Sequence, residues 1–261
     1  LEPNIFLKYF LDRMEDTVGG PEAAAHFGVG YAPKGWDVLL THLRSKGFTD
    51  DQLVEGGLVA RGGQRGIYDR FRGRVMLPIQ DARGRVIAFG GRILDKRDGV
   101  AKYLNSPDTD LFDKGRTLYN LHRAAPAARQ SGRVVVVEGY MDVIALANAG
   151  IADAVAPLGT ALTEMQLELL WRMVEVPVLC FDGDAAGQRA AMRAIARALP
   201  LLKPAHSLRI VQLPASLDPD DLSKQRGAAA MEELLGNARS LINTLWEHER
   251  DAVPLATPED K

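Results

Sequence analysis

The chain has 261 residues, of which 46% are hydrophobic and 25% are charged. These proportions are those of ordinary globular proteins, which excludes a fibrous or wholly disordered chain and leaves room for one large domain or two to three small ones. The single cysteine, Cys180, excludes an internal disulfide and a cysteine-rich zinc site, which fits a reducing cytoplasm. No apolar run approaches about 18 residues, so no membrane span is predicted.

The charges are unevenly distributed along the chain. The formal net charge is −2. Residues 61–133, which we name the basic block, contain 16 Lys and Arg against 7 Asp and Glu, a net of +9, and the rest of the chain carries −11. This contrast suggests a surface for polyanions beside a site for cations. A solvated charged face would give the same composition, and that alternative stays open at this point.

Residues 1–128 are predicted to form a mixed α/β subdomain. Apolar residues at helical spacing predict a helix over residues 35–46. Thr49 followed by Gln52 predicts a capping box at the start of another short helix.

A β-hairpin is predicted next in the chain. Its strands are Arg74–Gln80 and residues 85–89, joined by a turn at residues 81–84 and closed by the glycines at 90 and 91. Because proline cannot donate a backbone hydrogen bond, Pro78 predicts that its strand lies at a sheet edge or carries a bulge.

Residues 129–214 alternate between strand and helix patterns. The helices are predicted at residues 141–148, behind the capping box of Thr163 and Gln166, and at residues 186–199. The strands are short apolar runs, typical of strands buried on both faces, and they cover residues 134–137, 153–156, 177–181 and 208–213. Such alternation predicts an α/β domain with a parallel, Rossmann-like sheet and helices on both faces. Residues 215–261 are predicted to form an acidic helical subdomain with a disordered tail at residues 254–261.

Acidic residues follow three of the predicted strands. Glu138 follows the first strand, Asp182 and Asp184 follow the third, and Asp218 and Asp220 lie just beyond the fourth. In parallel sheets, ligands bind outside the carboxyl ends of the strands, so we expect these side chains to converge.

Each acidic group also has a structural explanation. Asp142 suits the first turn of a helix, Asp182 and Asp184 suit a turn, and Asp218 before Pro219 suits a helix N-cap. Several carboxylates at one place nevertheless repel, by about 4 kcal/mol per pair at ~4 Å and an effective dielectric constant near 20. A divalent cation such as Mg²⁺ resolves that repulsion and supports phosphoryl transfer.

Four short motifs occur in this region: Glu138-Gly139-Tyr140-Met141-Asp142-Val143, Leu158-Gly159-Thr160-Ala161, Phe181-Asp182-Gly183-Asp184-Ala185-Ala186-Gly187 and Asp218-Pro219-Asp220. Together they resemble the Toprim domain that primases, topoisomerases and some nucleases share. The first and third are most similar to the bacterial DnaG-type primases. The upstream segments Phe27–Pro33, Tyr68–Arg74, Gly90–Arg92, Lys102–Pro107 and Phe112–Gly115 resemble the basic subdomain of the same family.

The resemblance implies a fold, a reaction and a cofactor. The fold would be a Toprim domain preceded by the basic subdomain and followed by a small helical bundle. The reaction would be synthesis of short RNA primers on single-stranded DNA from NTPs, with an RNA–DNA hybrid as product. The cofactor would be Mg²⁺, which Mn²⁺ can replace, with no zinc in this part of the protein. The metal-binding carboxylates would be Glu138, Asp182 and Asp184, completed by Asp142, Asp218 and Asp220.

The resemblance also implies the nucleic-acid contacts and the partners. Template and nucleotide phosphates would lie in a groove lined by Arg72, Arg74, Arg92, Lys102, Asn105 and Lys114. Tyr103 and Phe112 could stack on bases or pack in the core. The chain begins at Leu1 rather than Met, which predicts a central fragment of a longer bacterial, cytoplasmic protein. The family's zinc-binding domain and its contact with the replicative helicase are expected only through other regions, and no membrane partner is expected.

Two other functions are compatible with parts of the sequence. A topoisomerase or nuclease fragment would share the Toprim motifs, and a topoisomerase would use one of the six tyrosines as a nucleophile. A non-catalytic module that binds single-stranded DNA would explain the basic block alone. The dense carboxylates disfavour the second alternative, because they repel a phosphate backbone unless a metal ion intervenes.

Overall fold

The structure is a computed structural model that describes residues 19–63, 66–94 and 99–252. The chain divides into two compact units, Leu1–His122 and Arg123–Lys261. Residues from 215 onward, predicted as a separate helical part, belong to the second unit, and the predicted division into three parts stays a prediction. The predicted disordered tail lies outside the described residues. In the described part of the chain, no helix is both long enough and apolar enough to cross a bilayer.

The first unit combines a four-stranded antiparallel sheet, a two-stranded hairpin and three short helices among its described residues. The sheet order is β1-β4-β5-β6, and β2 pairs with β3. The elements are α1 (Pro21–Phe27), β1 (Gly30–Ala32), α2 (Val38–Ser45), α3 (Asp50–Glu55), β2 (Val59–Gly62), β3 (Gly66–Asp69), β4 (Arg74–Gln80), β5 (Val86–Ile93) and β6 (Tyr103–Asn105).

Helices α2 and α3 begin where side chains satisfy their first backbone N–H groups. The carboxylate of buried Asp69 accepts hydrogen bonds from the amides of Leu39 (2.7 Å) and Leu40 (2.9 Å), so α2 begins three residues later than predicted. The capping box of Thr49 and Gln52 at α3 is confirmed. Local capping is therefore visible in the sequence, whereas a cap from a distant strand is not.

The hairpin prediction identifies both strands, but the second strand is longer than predicted and the glycines at its end have another role. Strand β5 continues through Gly90 and Gly91 to Ile93, so these glycines do not close the hairpin. Strand β4 lies between β1 and β5 and is not at an edge. Pro78 is tolerated there because β1 pairs only with Arg74–Met76, and the register shifts nearby, between Ile79 and Gln80. The alternative prediction of a bulged strand is thus the correct one.

The second unit contains a five-stranded sheet with the order β11-β10-β9-β7-β8. All pairs are parallel except β10 with β11. The elements are α4 (Leu121–Ser131), β7 (Val135–Val136), α5 (Tyr140–Asn148), β8 (Ala154–Val155), α6 (Glu164–Trp171), β9 (Val178–Phe181), α7 (Ala185–Ala198), β10 (Arg209–Gln212), α8 (Pro219–Gly236), β11 (Arg239–Ser240) and α9 (Leu241–Ala252).

The order of the strands places a topological switch between β7 and β9. From β7 the chain crosses to β8 on one side, and then returns to β9 on the other side of β7. Residues 134–137 around β7 are completely buried, at 0% exposure, as the continuous apolar run predicts. The predicted α/β fold is confirmed, and its switch point is where ligands of such sheets bind.

One arginine connects the amino ends of β7 and β8 to α8. The Arg133 guanidinium donates to the Asp153 carboxylate (2.9 and 3.2 Å) and to the Glu232 carboxylate (2.6 and 3.0 Å). We name these three residues the arginine clamp. Asp153 is only 2% exposed, and it also accepts from the Ser131 hydroxyl (3.0 Å). The clamp therefore compensates a buried charge.

We predict that Arg133→Met destabilises the second unit by about 3 kcal/mol, because it leaves the buried Asp153 carboxylate without its cation. Glu232→Gln should cost no more than about 1 kcal/mol, since the Glu232 side chain is 47% exposed. Urea unfolding followed by circular dichroism measures both values.

The stability that the Arg133–Glu232 pair contributes depends on pH. The hydrogen bond from Arg133 lowers the pKa of Glu232 below its usual value. Its stabilising contribution is therefore complete above the ordinary pKa of glutamate and is lost as the pH falls through the lowered value. Equal losses of stability in Arg133→Met and Glu232→Gln would contradict this description of the clamp.

Candidate active site

The site begins with two carboxylates at the carboxyl ends of adjacent strands. Glu138 follows β7 and Asp182 follows β9, and these strands are paired in parallel. The backbone N–H of Asp182 donates to Oε1 of Glu138 at 3.0 Å. The two residues are 44 positions apart in sequence and meet because the strand order changes direction between them.

Two glycines allow the loop after β9 to approach its neighbours closely. A Cβ atom at Gly183 would lie 2.0 Å from the carbonyl oxygen of Pro214, and one at Gly187 would lie 2.1 Å from that of Asp182. The backbone N–H of Gly183 donates to the carbonyl of Leu217 at 2.9 Å. The loop that carries Asp182 is thereby attached to the loop that leads into α8.

Helix N-termini position the other carboxylates. Oδ1 of Asp184 accepts from the amides of Ala186 and Gly187, both at 2.8 Å, and so caps α7. Oδ1 of Asp218 accepts from the amide of Asp221 at 2.7 Å and caps α8. The N-cap predicted for Asp218 is confirmed, whereas Asp184, for which the sequence suggested a turn, also caps a helix.

Asp142 completes the group from the first turn of α5. Its Oδ2 accepts from the backbone N–H of Gly139 at 2.9 Å. Asp142 and Asp182 are within electrostatic reach of each other or of four further carboxylates, so six carboxylates belong to one group. We name them the carboxylate cluster: Glu138, Asp142, Asp182, Asp184, Asp218 and Asp221.

Burial and mutual repulsion hold two of these groups toward the neutral form. Burial, followed by the charges of Asp182 and Asp218, raises the pKa of Asp142 to about 8. Burial, followed by the charge of Glu138, raises the pKa of Asp182 to about 7. Such shifts show that the fold gathers negative charge at a cost to stability, which is typical of functional sites.

The chemistry of the cluster fits a hard divalent cation. Oδ1 of Asp182 is buried and accepts no hydrogen bond from the described residues, and buried acceptors without a donor are uncommon. Carboxylate oxygens are the protein ligands that Mg²⁺ prefers, and Mg²⁺ takes its remaining ligands from water and substrate phosphates. Within the described residues, no three His, Cys, Asp or Glu side chains are already arranged to ligate one ion.

The structure gives Asp220 a different role from the predicted one and adds Asp221 to the site. The Asp220 carboxylate accepts from the Lys224 ammonium at 2.7 Å, one helical turn later. Asp221, which the sequence analysis did not select, is among the groups whose charge raises the pKa of Asp182. Its position three residues after the N-cap Asp218 is the signal that could have identified it, since that spacing returns to the same side of the helix.

The first unit presents an exposed aromatic ring with two cations close to it. Arg92 on β5 pairs in register with Tyr103 on the edge strand β6. The Arg92 guanidinium carbon lies 5.9 Å and the Lys102 Nζ 5.6 Å from the centroid of the Tyr103 ring. Tyr103 is 37% exposed, whereas Phe112 is 1% exposed and belongs to the core. Of the two aromatic residues considered from the sequence, only Tyr103 is accessible for stacking.

Two of the other predicted binding residues, Arg74 and Arg72, make contacts within the protein. Arg74 is 6% exposed, and its guanidinium donates to the carbonyls of Gly91 (3.0 Å) and Ala101 (2.9 Å). The Arg72 guanidinium stacks on the Trp36 ring at 3.9 Å. These contacts favour a packing role for both arginines.

Asn105 and Lys114 hold their positions through backbone contacts. The carbonyl of Asn105 accepts from Arg70 at 3.0 Å, and the backbone N–H of Lys114 donates to Asp108 at 3.0 Å. Both side chains are partly exposed. Residues 64–65 and 95–98 of the basic block lie outside the described residues.

Two protein families match consecutive parts of the chain. Residues 4–125 match the family described as DNA primase catalytic core, N-terminal domain. Residues 132–212 match the Toprim domain. The second match contains Glu138, Asp142, Asp182 and Asp184, and the first contains the residues of the proposed groove.

Individual relatives agree with these families. The chain is 47% identical over 241 residues to the DNA primase of Neisseria meningitidis, covering 92% of this chain and 40% of the relative. It thus spans about two fifths of the length of the curated relatives it matches.

Two solved structures are similar over most of the chain. The primase catalytic core of Escherichia coli has a TM-score of 0.87 and 41% identity, covering 99% of this chain and 82% of that one. A DnaG primase catalytic domain bound to single-stranded DNA has a TM-score of 0.85 and 42% identity, covering 95% and 77% of the two chains.

We predict that Asp182→Asn stabilises the metal-free protein at pH 8, because it removes one charge from the carboxylate cluster while keeping the shape of the side chain. The rise in Tm should be at most about 2–4 °C, the shift that 1 kcal/mol gives in a unit of this size, because water screens the partly exposed group. Calorimetry in EDTA measures it.

The gain should shrink at pH 6. The raised pKa of Asp182, about 7, means that the wild-type carboxyl is already mostly protonated there, so the asparagine replaces a neutral group. Glu164→Gln, an exposed carboxylate on α6, is the matched control and should leave the Tm unchanged. A lower Tm for Asp182→Asn at pH 8 would show that the cluster is not repulsive.

Proposed function

This chain belongs to the family of DnaG-type DNA primases, whose catalytic core it matches, and from this membership we propose that it copies single-stranded DNA into short RNA primers by metal-assisted nucleotidyl transfer. The match of residues 4–125 to the primase core favours this function over a topoisomerase or nuclease fragment. We place the reaction in the bacterial cytoplasm, at the replication fork, with NTPs as substrates and an RNA–DNA hybrid as product.

The observation that carries the proposal is the carboxylate cluster at the switch point of the second unit. A Toprim domain and membership in this family imply the use of a divalent metal ion, and we propose Mg²⁺, with Mn²⁺ as a substitute. Glu138, Asp182 and Asp184 would hold it, with Asp142, Asp218 and Asp221 around them. Asp220, which the sequence also suggested for this group, pairs with Lys224. The buried Oδ1 of Asp182, which accepts no hydrogen bond from the described residues, is the oxygen best suited to a cation.

The residues of the cluster contribute by position and charge. When bound, a divalent ion would supply the positive charge that neutralises the negative charge developing as one nucleotide is joined to the next. The Asp182 amide holds Glu138 in place, and the caps formed by Asp184 and Asp218 fix two further carboxylates on rigid helix ends. Such preorganisation lets the site stabilise charge without rearranging during the reaction.

The first unit would supply the surface for template and nucleotide. Arg92 and Lys102 flank the exposed ring of Tyr103, which combines phosphate attraction with a face for base stacking. Asn105 and Lys114 would extend this surface. A related catalytic domain has been solved with single-stranded DNA, which supports the same ligand for this chain. Arg72 and Arg74 would act mainly by supporting the strands beneath.

We predict that Glu138→Gln lowers primer synthesis at least about a hundredfold, because a ligand of the metal ion is lost. Asp182→Asn should have the same effect while the protein stays folded. The assay supplies single-stranded DNA, labelled NTPs and Mg²⁺, and detects RNA complementary to the template.

Glu164→Gln is the control and should retain wild-type activity. Wild-type rates for Glu138→Gln would exclude the proposed site. DNA binding by the wild-type protein without nucleotide incorporation would instead favour the non-catalytic alternative.

We predict that DNA affinity depends on salt through the cations of the first unit. For single strands, the slope of log affinity against log salt is about −0.7 for each phosphate neutralised. Lys102→Ala combined with Lys114→Ala should therefore make the slope less steep by up to twice that amount. Fluorescence anisotropy with a labelled oligonucleotide at several salt concentrations gives the slopes.

The matched control is Lys46→Ala combined with Arg83→Ala, which removes the same charge from two exposed positions outside the proposed surface. Its slope should equal that of the wild type. Identical slopes for both double variants would show that Lys102 and Lys114 do not contact the phosphates.

A further inference from the structure

Helix α8 is interrupted in its middle. Gly227 has φ 79° and ψ 171°, so residues 219–226 and 228–236 form two helical halves. This combination of angles lies in a region that glycine alone populates readily. A Cβ atom added at Gly227 would nevertheless contact nothing within 4 Å. Glycine is therefore required at this position by the backbone angles, and not because a side chain would clash with its neighbours.

The interruption changes which side chains the helix buries. Leu222 in the first half and Met231 in the second are both completely buried, and Leu235 is 2% exposed. Leu222 and Met231 are nine positions apart, which is about two and a half turns at 3.6 residues per turn. In an unbroken helix they would point in opposite directions. The angle at Gly227 lets both halves bury their apolar side.

The two halves are fixed at opposite ends of the parallel strands. The first half begins at the carboxyl ends, where Asp218 caps it and the preceding Leu217 accepts from Gly183 at 2.9 Å. The second half is fixed at the amino ends, where Glu232 joins the arginine clamp. One straight helix could not satisfy both attachments and bury both apolar sides.

We propose that Gly227 is a positioning residue for the metal site, since the break at this glycine keeps Asp218 and Asp221 beside Asp182 while the second half stays on the clamp. The proposal rests on the proposed function, because it assumes that the carboxylate cluster binds a divalent ion. Gly227 itself touches neither metal nor substrate. It acts through the position of the first half of α8, and no other residue type can hold the same backbone angle without strain.

The test compares Gly227→Ala with Gly236→Ala. Gly236 lies in the same helix, is equally open around its Cβ position and has no positive φ, so it reports the general effect of replacing a helix glycine. Calorimetric titration of each chain with Mg²⁺ should show affinity lowered about tenfold in Gly227→Ala and changed less than about twofold in Gly236→Ala. Equal affinities in Gly227→Ala and the wild type would overturn the role of Gly227.

A second measurement needs no metal ion. Amide hydrogen exchange of the metal-free chains should show that Gly227→Ala reduces the protection of the Gly183 and Asp221 amides, which bond to Leu217 and Asp218. Gly236→Ala should leave both amides protected. Full protection of the Gly183 and Asp221 amides in Gly227→Ala would contradict the proposal. If the wild type itself binds no Mg²⁺, the proposed function fails, and this exchange measurement still decides the role of Gly227.

The wild-type chain provides a test that does not depend on the folding of a variant. Addition of Mg²⁺ should increase the amide protection of residues 220–226 and leave that of residues 228–236 nearly unchanged, because the break separates the two halves. An equal increase of amide protection in both halves would mean that α8 behaves as one continuous helix. That result would overturn the positioning role of Gly227.

Discussion

The repulsion among carboxylates at the end of the parallel sheet is the constraint on which the rest of the second unit depends. Asp142 and Asp182 carry raised pKa values because burial and neighbouring charges oppose their ionisation. The completely buried strand around β7 and the glycine-mediated contact of two loops hold them together in spite of this. The charges that shift Asp142 and Asp182 all come from other carboxylates among the described residues, which suits the divalent cation that we propose for this site.

The two ends of the parallel sheet differ in the charges that they bring together. At the amino ends, Arg133 pairs with both Asp153 and Glu232 through four hydrogen bonds, so opposite charges face one another. At the carboxyl ends, like charges face one another. Helix α8 runs between these ends, and its break at Gly227 allows each half to fit its own surroundings. The ion pairs of the arginine clamp therefore lie at one end of the sheet, and the proposed metal site lies at the other.

In the first unit, the surroundings of each cation distinguish packing from binding. Arg74 is buried and donates to backbone carbonyls, and Arg72 covers an aromatic ring. Arg92 and Lys102 lie instead beside the exposed ring of Tyr103 on an edge strand. A high count of basic residues in a segment therefore overstates the number that are free to meet a phosphate backbone.

The sequence by itself determined what depends on neighbouring residues or on a repeated pattern. The capping boxes at Thr49 and Thr163 follow from residues three positions apart. The alternation of strands and helices predicted the parallel sheet, and the rule that its strands share one carboxyl end predicted the meeting of Glu138 with Asp182.

Only the tertiary structure decided what depends on partners far along the chain. The central position of β4 despite Pro78, the burial of Arg74, the approach of Asp221 to Asp182 and the break at Gly227 all belong to this group. The reason is physical: a residue's local pattern fixes which backbone hydrogen bonds it can make, whereas its exposure, its charge environment and its strain are fixed by atoms that folding brings from elsewhere.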